Sequence, residues 1–334
     1  MRQAKIFSII VSAVLLCYGA VGFYFLPLAT FQGELTRMGL LPERLFGWTK
    51  PQPALDAKLM LQASMHEADV LVIGDSFSLS RVWQTVLTEQ GLKVRTESWD
   101  SMRGICTDFM PWLRKQGFSG NYLVIESIER NLVDDLNKSV SCKHMQYHPN
   151  ISTDEPRHPP IVSFDVNGGN YAGRLSTGFR TQLNMLEYAR LSQSSDFMSW
   201  MLPNDVKLAR VANGCELFSH ARCNDVLFFA TDKELDVADS ALLNIEILNS
   251  RLNGIIPIWV FVPNKSTSYL YPDKHFWNEV ERRYHAPNLL RMTQQALQDK
   301  TIDLYPANNT HFSTTGYLMM GEAIFRAQQM HHKP

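Results

Sequence analysis

Residues Val70 to Ser78 read V-L-V-I-G-D-S-F-S, and this stretch decides the fold. Four consecutive apolar residues suit a parallel strand covered on both faces. The Gly74-Asp75 step that follows permits a sharp turn into a helix. Ser76 then stands at the carboxyl end of a buried strand. The backbone N–H groups of such a turn point into the same space as the hydroxyl, so one local structure can supply a nucleophile and part of an oxyanion hole. An ordinary turn closed by a helix cap carries the same tripeptide, and Gly-Asp-Ser alone does not separate the two.

The second signal lies near the other end, where Asn308 to Tyr317 read N-N-T-H-F-S-T-T-G-Y. A serine hydroxyl needs a base, and His311 stands just ahead of a capped helix that the pattern from Ser313 onward predicts. A capping or surface histidine is the alternative role for such a residue.

Gly74-Asp75-Ser76 early, with His311 followed by Phe-Ser-x-x-Gly late, resembles the SGNH (GDSL-type) hydrolase superfamily, and within it the chain is most similar to the alginate O-acetyltransferase branch. Gly-Asp-Ser-Phe at the nucleophile, Val124 to Arg130 (V-I-E-S-I-E-R) and Val262 to Tyr269 (V-P-N-K-S-T-S-Y) carry the narrower match. Together the matching segments span about Val70 to Ala327. The resemblance implies an α/β fold: a three-layer, flavodoxin-like parallel sheet with helices on both faces. The family pattern places an acidic residue two or three positions before the histidine, where this chain has Asn309 and Asn308. An asparagine carbonyl can hold an imidazole tautomer but stabilises an imidazolium less than a carboxylate. Asn308 and Asn309 are therefore the candidates beside Ser76 and His311 for the third catalytic position. The serine also precedes the histidine here, the order of ordinary SGNH esterases and peptidoglycan O-acetyltransferases rather than of the alginate enzymes.

Arg2 and Lys5 precede an uncharged run from Ile6 to Thr30, longer than the ~20 residues that cross a bilayer as a helix. The run ends in bulky Phe23-Tyr24-Phe25-Leu26 and not in the small residues of a cleavage site, which favours an uncleaved anchor over a signal peptide. Leu15-Leu16-Cys17 lacks the small residue expected before a lipidated cysteine. Positive charge on the N-terminal side predicts a cytoplasmic tail and an exported globular part. With 32 Lys and Arg against 33 Asp and Glu, the net charge of -1 argues against nucleic acid as a partner. Besides Cys17 there are Cys106, Cys142, Cys215 and Cys223, an even number in an oxidising compartment. Cys215 and Cys223 are near enough to close a small loop, which leaves Cys106 with Cys142; free buried cysteines are the alternative. No Cys/His spacing suggests zinc, and no metal or soluble cofactor is expected.

The organisation expected from the pattern is an anchor at 1–30, a partly helical stem at 31–66 carrying Pro42, Pro51 and Pro53, and an SGNH-like domain at 67–330. Strands are predicted at Val70–Gly74, Lys93–Trp99, Tyr122–Glu126, Ile255–Val262 and Ile302–Tyr305. Helices are predicted at Ser78–Gln90, Phe109–Lys115, Asp232–Leu252, Trp277–Tyr284 and Ala286–Gln298. That alternation argues a parallel sheet whose crevice lies at the carboxyl ends of the strands. The pattern breaks between about 134 and 231. That segment holds alternating pieces such as Ile161 to Val166 and a helix around Thr181 to Leu191, and it reads as an insertion or cap.

Segments that follow strand ends converge on one crevice, so Arg103 and Gly104, Glu126 to Arg130 and Lys265 to Tyr269 are further site candidates. Gly104 can bring its N–H close to an oxyanion as a second donor beside that of Ser76. Glu126 and Arg130 suit either substrate contact or a structural ion pair. Lys265, Thr267 and Tyr269 alternate, so in an extended segment they share one face suited to a sugar chain, with a plain surface loop as the alternative. Trp83, Trp99 and Trp112 fall in periodic segments and read as core.

These readings lead to three expectations. The first is an inner-membrane, single-pass, periplasm-facing O-acetyltransferase of an exopolysaccharide or cell-envelope polysaccharide. For it the resemblance implies a multi-spanning membrane acyltransferase as carrier of the acetyl donor. The second is a carbohydrate acetylesterase of the same fold. The third is a non-catalytic polysaccharide-binding or assembly protein.

Overall fold

The computed structural model describes residues 2–149, 159–160, 174–232, 239–272 and 275–330. The chain begins with α1 (Arg2–Phe25), α2 (Glu34–Gly39) and α3 (Glu43–Phe46). It continues through β1 (Val70–Gly74), α4 (Ser76–Leu79), α5 (Gln84–Glu89), β2 (Val94–Ser98), α6 (Trp99–Met102), α7 (Phe109–Lys115), β3 (Tyr122–Ile128) and α8 (Glu129–Ser141). Next come α9 (Leu175–Ser192), β4 (Ser199–Leu202), β5 (Val206–Arg210), α10 (Gly214–Leu217) and β6 (Asp225–Phe229). The last elements are α11 (Asp239–Arg251), β7 (Ile256–Val262), α12 (Lys265–Tyr269), α13 (His275–Tyr284), α14 (Leu289–Gln298) and α15 (Thr314–Met330). These elements divide into two units, one of residues 51–160, 231–305 and 310–334, the other of 1–50, 161–230 and 306–309.

The first unit holds a four-stranded, all-parallel sheet in the order β2-β1-β3-β7. Successive side chains of a strand point to opposite faces, and both faces here are covered. Leu71 and Ile73 enter one core with Phe109, Leu113, Ile245 and Trp277. Val70 and Val72 enter the other with Phe77, Leu87, Phe312 and Ile324. Burial on both faces explains why β1 is an unbroken apolar run and does not alternate. The chain leaves β1 for β2 on one side and places β3 on the other, so the sheet reverses its winding beside β1. The ends of β1 and β3 form the topological switch point, the position at which parallel sheets open a crevice.

Two predicted elements of this unit differ. The expected helix Ser78–Gln90 is two helices, because Arg81 takes a left-handed φ of 57° and the break swings Val82 and Trp83 fully into the core. The expected strand Ile302–Tyr305 does not form, since Asp303 sits at φ 55° and breaks any extended run. Cys106 is bonded to Cys142 in this unit, and Cys215 to Cys223 in the other, as the spacing suggested.

The second unit corrects the expected stem. Residues 31–50 are not a free spacer: Leu35, Leu41 and Phe46 are wholly buried in one core with Tyr188, Val206, Leu208 and Leu227. That core backs an antiparallel sheet, β4-β5-β6. Asn204 and Asp205 turn the first hairpin at φ 55° and 57°, a conformation these two residue types tolerate better than most. The departure from the parallel pattern also begins later than 134, because α8 runs on to Ser141 as part of the sheet unit. Ile161 to Val166 lies outside the described residues. Within this unit α1 is long and apolar enough to cross a membrane.

Candidate active site

The site is built on the turn after β1. Asp75 caps α4, its Oδ1 accepting from the Phe77 N–H at 2.9 Å, while its Oδ2 accepts from the Ile128 N–H at 2.8 Å. One carboxylate therefore ties the ends of β1 and β3 together. Gly74 has no room for a side chain: a Cβ there would lie 2.4 Å from Ser78 Oγ and 2.5 Å from Glu126 Oε2. Ser76 is the first residue of α4, where its N–H has no partner within the helix.

His311 Nε2 lies 2.7 Å from Ser76 Oγ, 235 residues away in sequence. The His311 ring packs on Phe77 with centroids 4.9 Å apart. Phe77 is in turn gripped by Phe312 and Tyr317, so the apolar residues around the motif hold the imidazole in place. On the other side of the ring, Thr310 Oγ1 lies 3.4 Å from Nδ1. The distances are those of a nucleophile and its general base.

Glu126 is not a wall of the site but its floor. It is fully buried, with Oε2 accepting from Ser78 Oγ at 2.7 Å and from the Asp75 N–H at 3.1 Å. Burial, and then the Asp75 carboxylate, push its carboxyl well above the ordinary range. In the folded protein Glu126 holds its proton at pH values where the unfolded chain has lost it. The stability it contributes is fully present below the ordinary glutamate pKa and is lost as pH rises through the folded value. Glu126→Gln, which cannot titrate, is expected to flatten the fall of Tm with rising pH above 4.5. An unchanged Tm slope in that variant would assign the titration elsewhere, for which Asp135→Asn is the control. Burial pushes the Asp135 carboxyl up to about 6, so its contribution fades between about 4 and 6 by the same sign.

A cleft of about 330 Å³ opens at this switch point, with Gly74, Asp75 and Ser76 on its wall. The β2 end contributes Ser98, Trp99 and Asp100, and α8 contributes Asn131, Asp134, Asp135 and Lys138. Trp99 Nε1 donates to the Glu126 carbonyl at 2.7 Å, which fixes the indole edge and leaves the ring half-buried in the cleft wall. Trp99 packs against the core as expected and lines the cleft as well, while Trp83 is fully buried and Trp112 packs partly buried against the core. The sequence pattern keeps Trp99 within the predicted strand Lys93–Trp99, whereas β2 ends at Ser98 and leaves Trp99 at the strand end. The α8 residues carry no sequence signal, because the sequence pattern predicts no helix after β3 and breaks at about 134.

Several expected site residues serve the scaffold. Arg130 Nη1 pairs with Asp232 Oδ1 at 3.2 Å and reaches Asn264 Oδ1 at 3.4 Å, the structural ion-pair alternative. Lys265, Thr267 and Tyr269 do not form an extended strip. They lie on the one-turn helix α12, with Lys265 and Thr267 buried and Thr267 Oγ1 donating to Glu129. The physical reason is that Glu129 also accepts from the Asn264 N–H at 3.0 Å, coiling the segment back on the end of β7. Arg103 is exposed at φ 61°, and neither it nor Gly104 is on the cleft wall. Gly104, at φ 137°, is glycine because α8 approaches closely: a Cβ would meet Ser139 Cα at 3.2 Å. Asn308 is buried in the second unit, its Nδ2 donating to Glu43 Oε1 at 2.6 Å and its carbonyl accepting from the Leu35 N–H. Its amide is committed to that carboxylate, and the Asn309 N–H to the Pro306 carbonyl.

Comparison with protein-family models, with curated proteins and with solved structures finds no significant match to this chain. The functional reading therefore stands on the residues and their geometry.

Proposed function

We propose that this chain is an SGNH-type O-acetyltransferase, anchored in the bacterial inner membrane by α1 with its remainder in the periplasm, that acetylates a cell-surface or secreted polysaccharide. The observation that carries the reading is the 2.7 Å contact of His311 Nε2 with Ser76 Oγ at the carboxyl end of β1. Two disulfides support an oxidising compartment.

In the reaction His311 takes the Ser76 proton as Oγ bonds to the acetyl carbonyl carbon of the donor. The donor's leaving group departs with that proton. A sugar hydroxyl then gives its proton to His311 as its oxygen attacks the acyl-enzyme, and Ser76 leaves reprotonated. The Ser76 N–H and the Asn131 side chain are the oxyanion donors this reading assigns. Acetyl-CoA is cytoplasmic, so a multi-spanning membrane acyltransferase is the donor's carrier. Asp75, Asp100, Asp134 and Asp135 line the cleft against one cation, Lys138. Like charge repels, so the acceptor is a neutral or amine-bearing glycan and not a polyuronate such as alginate.

Full-length protein in detergent, given a chromogenic acetyl ester with neutral, glucosamine-containing or uronate oligosaccharides, tests this. Acetylated neutral or amine-bearing oligosaccharide is expected from wild type and none from Ser76→Ala. Ester hydrolysis that no acceptor diverts would make the chain an acetylesterase. Equal inertness of wild type and Ser76→Ala, with no acyl adduct on Ser76, would leave only a binding role.

A further inference from the structure

Helix α9 carries an exposed apolar stripe with no counterpart in the catalytic reading. Phe179, Leu183 and Leu186 are 52%, 48% and 59% exposed, and their spacing of i, i+4, i+7 puts them on one face. The opposite face is the one that folds: Gly178, Thr181 and Tyr188 are buried, Tyr188 packing edge-on to Phe46. Three large apolar side chains aligned on the outer face of a packed helix form a patch, unlike apolar residues scattered singly over a surface.

The start of this stripe is joined to the end of α1. A Cβ on Gly178 would lie 2.0 Å from the Phe25 carbonyl oxygen, so the two backbones touch at a position only glycine permits. The Phe25 and Phe179 rings meet edge to face at 5.7 Å. Phe23 and Tyr24, in the preceding turn, are exposed in their turn. The apolar surface of α1 therefore continues onto α9. The stripe stops at Arg190, which falls on the same face at i+11 from Phe179 and is salt-bridged to Glu187 at 2.5 Å, while exposed Arg180 flanks its beginning. Apolar side chains edged by arginines, with an aromatic pair at the join, form the pattern of a helix lying at the boundary of headgroups and acyl chains.

We infer that the outer face of α9 beds into the bilayer interface beside the end of α1, so that the second unit rests on lipid through Phe179, Leu183 and Leu186. This rests on the reading of α1 as a membrane span. Lipid is the occupant because the face is continuous with a helix whose apolar window is unburied and because arginines flank both ends of the stripe.

The full chain, reconstituted in nanodiscs of phosphatidylethanolamine and phosphatidylglycerol, provides the test. In a Cys17→Ser background, Leu183→Cys, Leu186→Cys and, as an aqueous reference, Ser195→Cys are each labelled with a nitroxide; native Cys17 is labelled separately as the marker of α1. Accessibility to oxygen, which concentrates in lipid, is compared with that to a water-soluble nickel complex. The expected result is an oxygen-to-nickel ratio at 183 and 186 several-fold above that at 195 and in the direction of Cys17. Labels at 183 and 186 that match 195, with Cys17 in lipid, overturn the inference while the anchor stands. A water-accessible Cys17 overturns both. Shielding of 183 and 186 from both reagents would mean a second copy of the chain covers the face, which also overturns it.

Discussion

His311→Ala is expected to lower acyl-enzyme formation by roughly 10²- to 10⁶-fold, and Ser76→Ala by at least as much. In the proposed reaction both residues act in one step, since a base 2.7 Å from Ser76 Oγ has no purpose without the hydroxyl. The double variant should therefore be no worse than the weaker single one, as is usual for groups that work as a unit. Stopped-flow release of 4-nitrophenol from its acetate, with intact-mass detection of a Ser76 adduct, gives both numbers. Each side chain is only half-buried, and Phe77, which holds the ring from below, is untouched. Near-native thermal transitions are expected, so lost activity will not reflect lost fold. Additive losses from the two substitutions would place the histidine outside the chemistry.

Breaking the Cys106–Cys142 bond with Cys106→Ser, Cys142→Ser should destabilise the protein by about 4 kcal/mol, against about 2.5 kcal/mol for Cys215→Ser, Cys223→Ser. The difference comes from loop length, 36 residues of separation against 8, because a longer closed loop removes more entropy from the unfolded chain. The first bond also fastens the segment after Gly104 to the end of α8, where the Thr107 N–H donates to the Cys142 carbonyl and Ser139 Oγ accepts from the Ile105 N–H. Since α8 carries Asn131, Asp134 and Asp135 into the cleft, its loosening should also lower catalytic efficiency. Urea titrations of the two double-serine proteins read the stability difference. Equal midpoint shifts would mean that loop entropy is not what these bonds contribute.

The strands of the parallel sheet were legible because each is an apolar run closed by turn residues, a signal contained within a few positions. The same locality made Gly74-Asp75-Ser76 and His311 visible as candidates, and the pairing of Cys215 with Cys223 follows from an eight-residue gap. Lys265 to Tyr269 misled for the converse reason. Its alternation suits an extended strip only if nothing competes, and the Glu129 carboxylate coils it into a buried turn. Residues 31–50 carried proline and little periodicity, so they resembled a stem. Their partners lie at 185–229, out of reach of any local pattern.

By itself the sequence determined a parallel α/β core, an N-terminal helix able to span a membrane, and a serine and a histidine at its two ends of the fold. Periodicity and turn chemistry act between near neighbours, and that is enough for these. Tertiary structure alone decided that Ser76 and His311 meet at 2.7 Å, that Glu126 is fully buried beneath the turn with its carboxyl pushed up by that burial, and that Asn308 serves Glu43 across 265 residues. Those outcomes depend on which distant side chains share one buried volume, and burial, not proximity in sequence, sets both their contacts and their protonation.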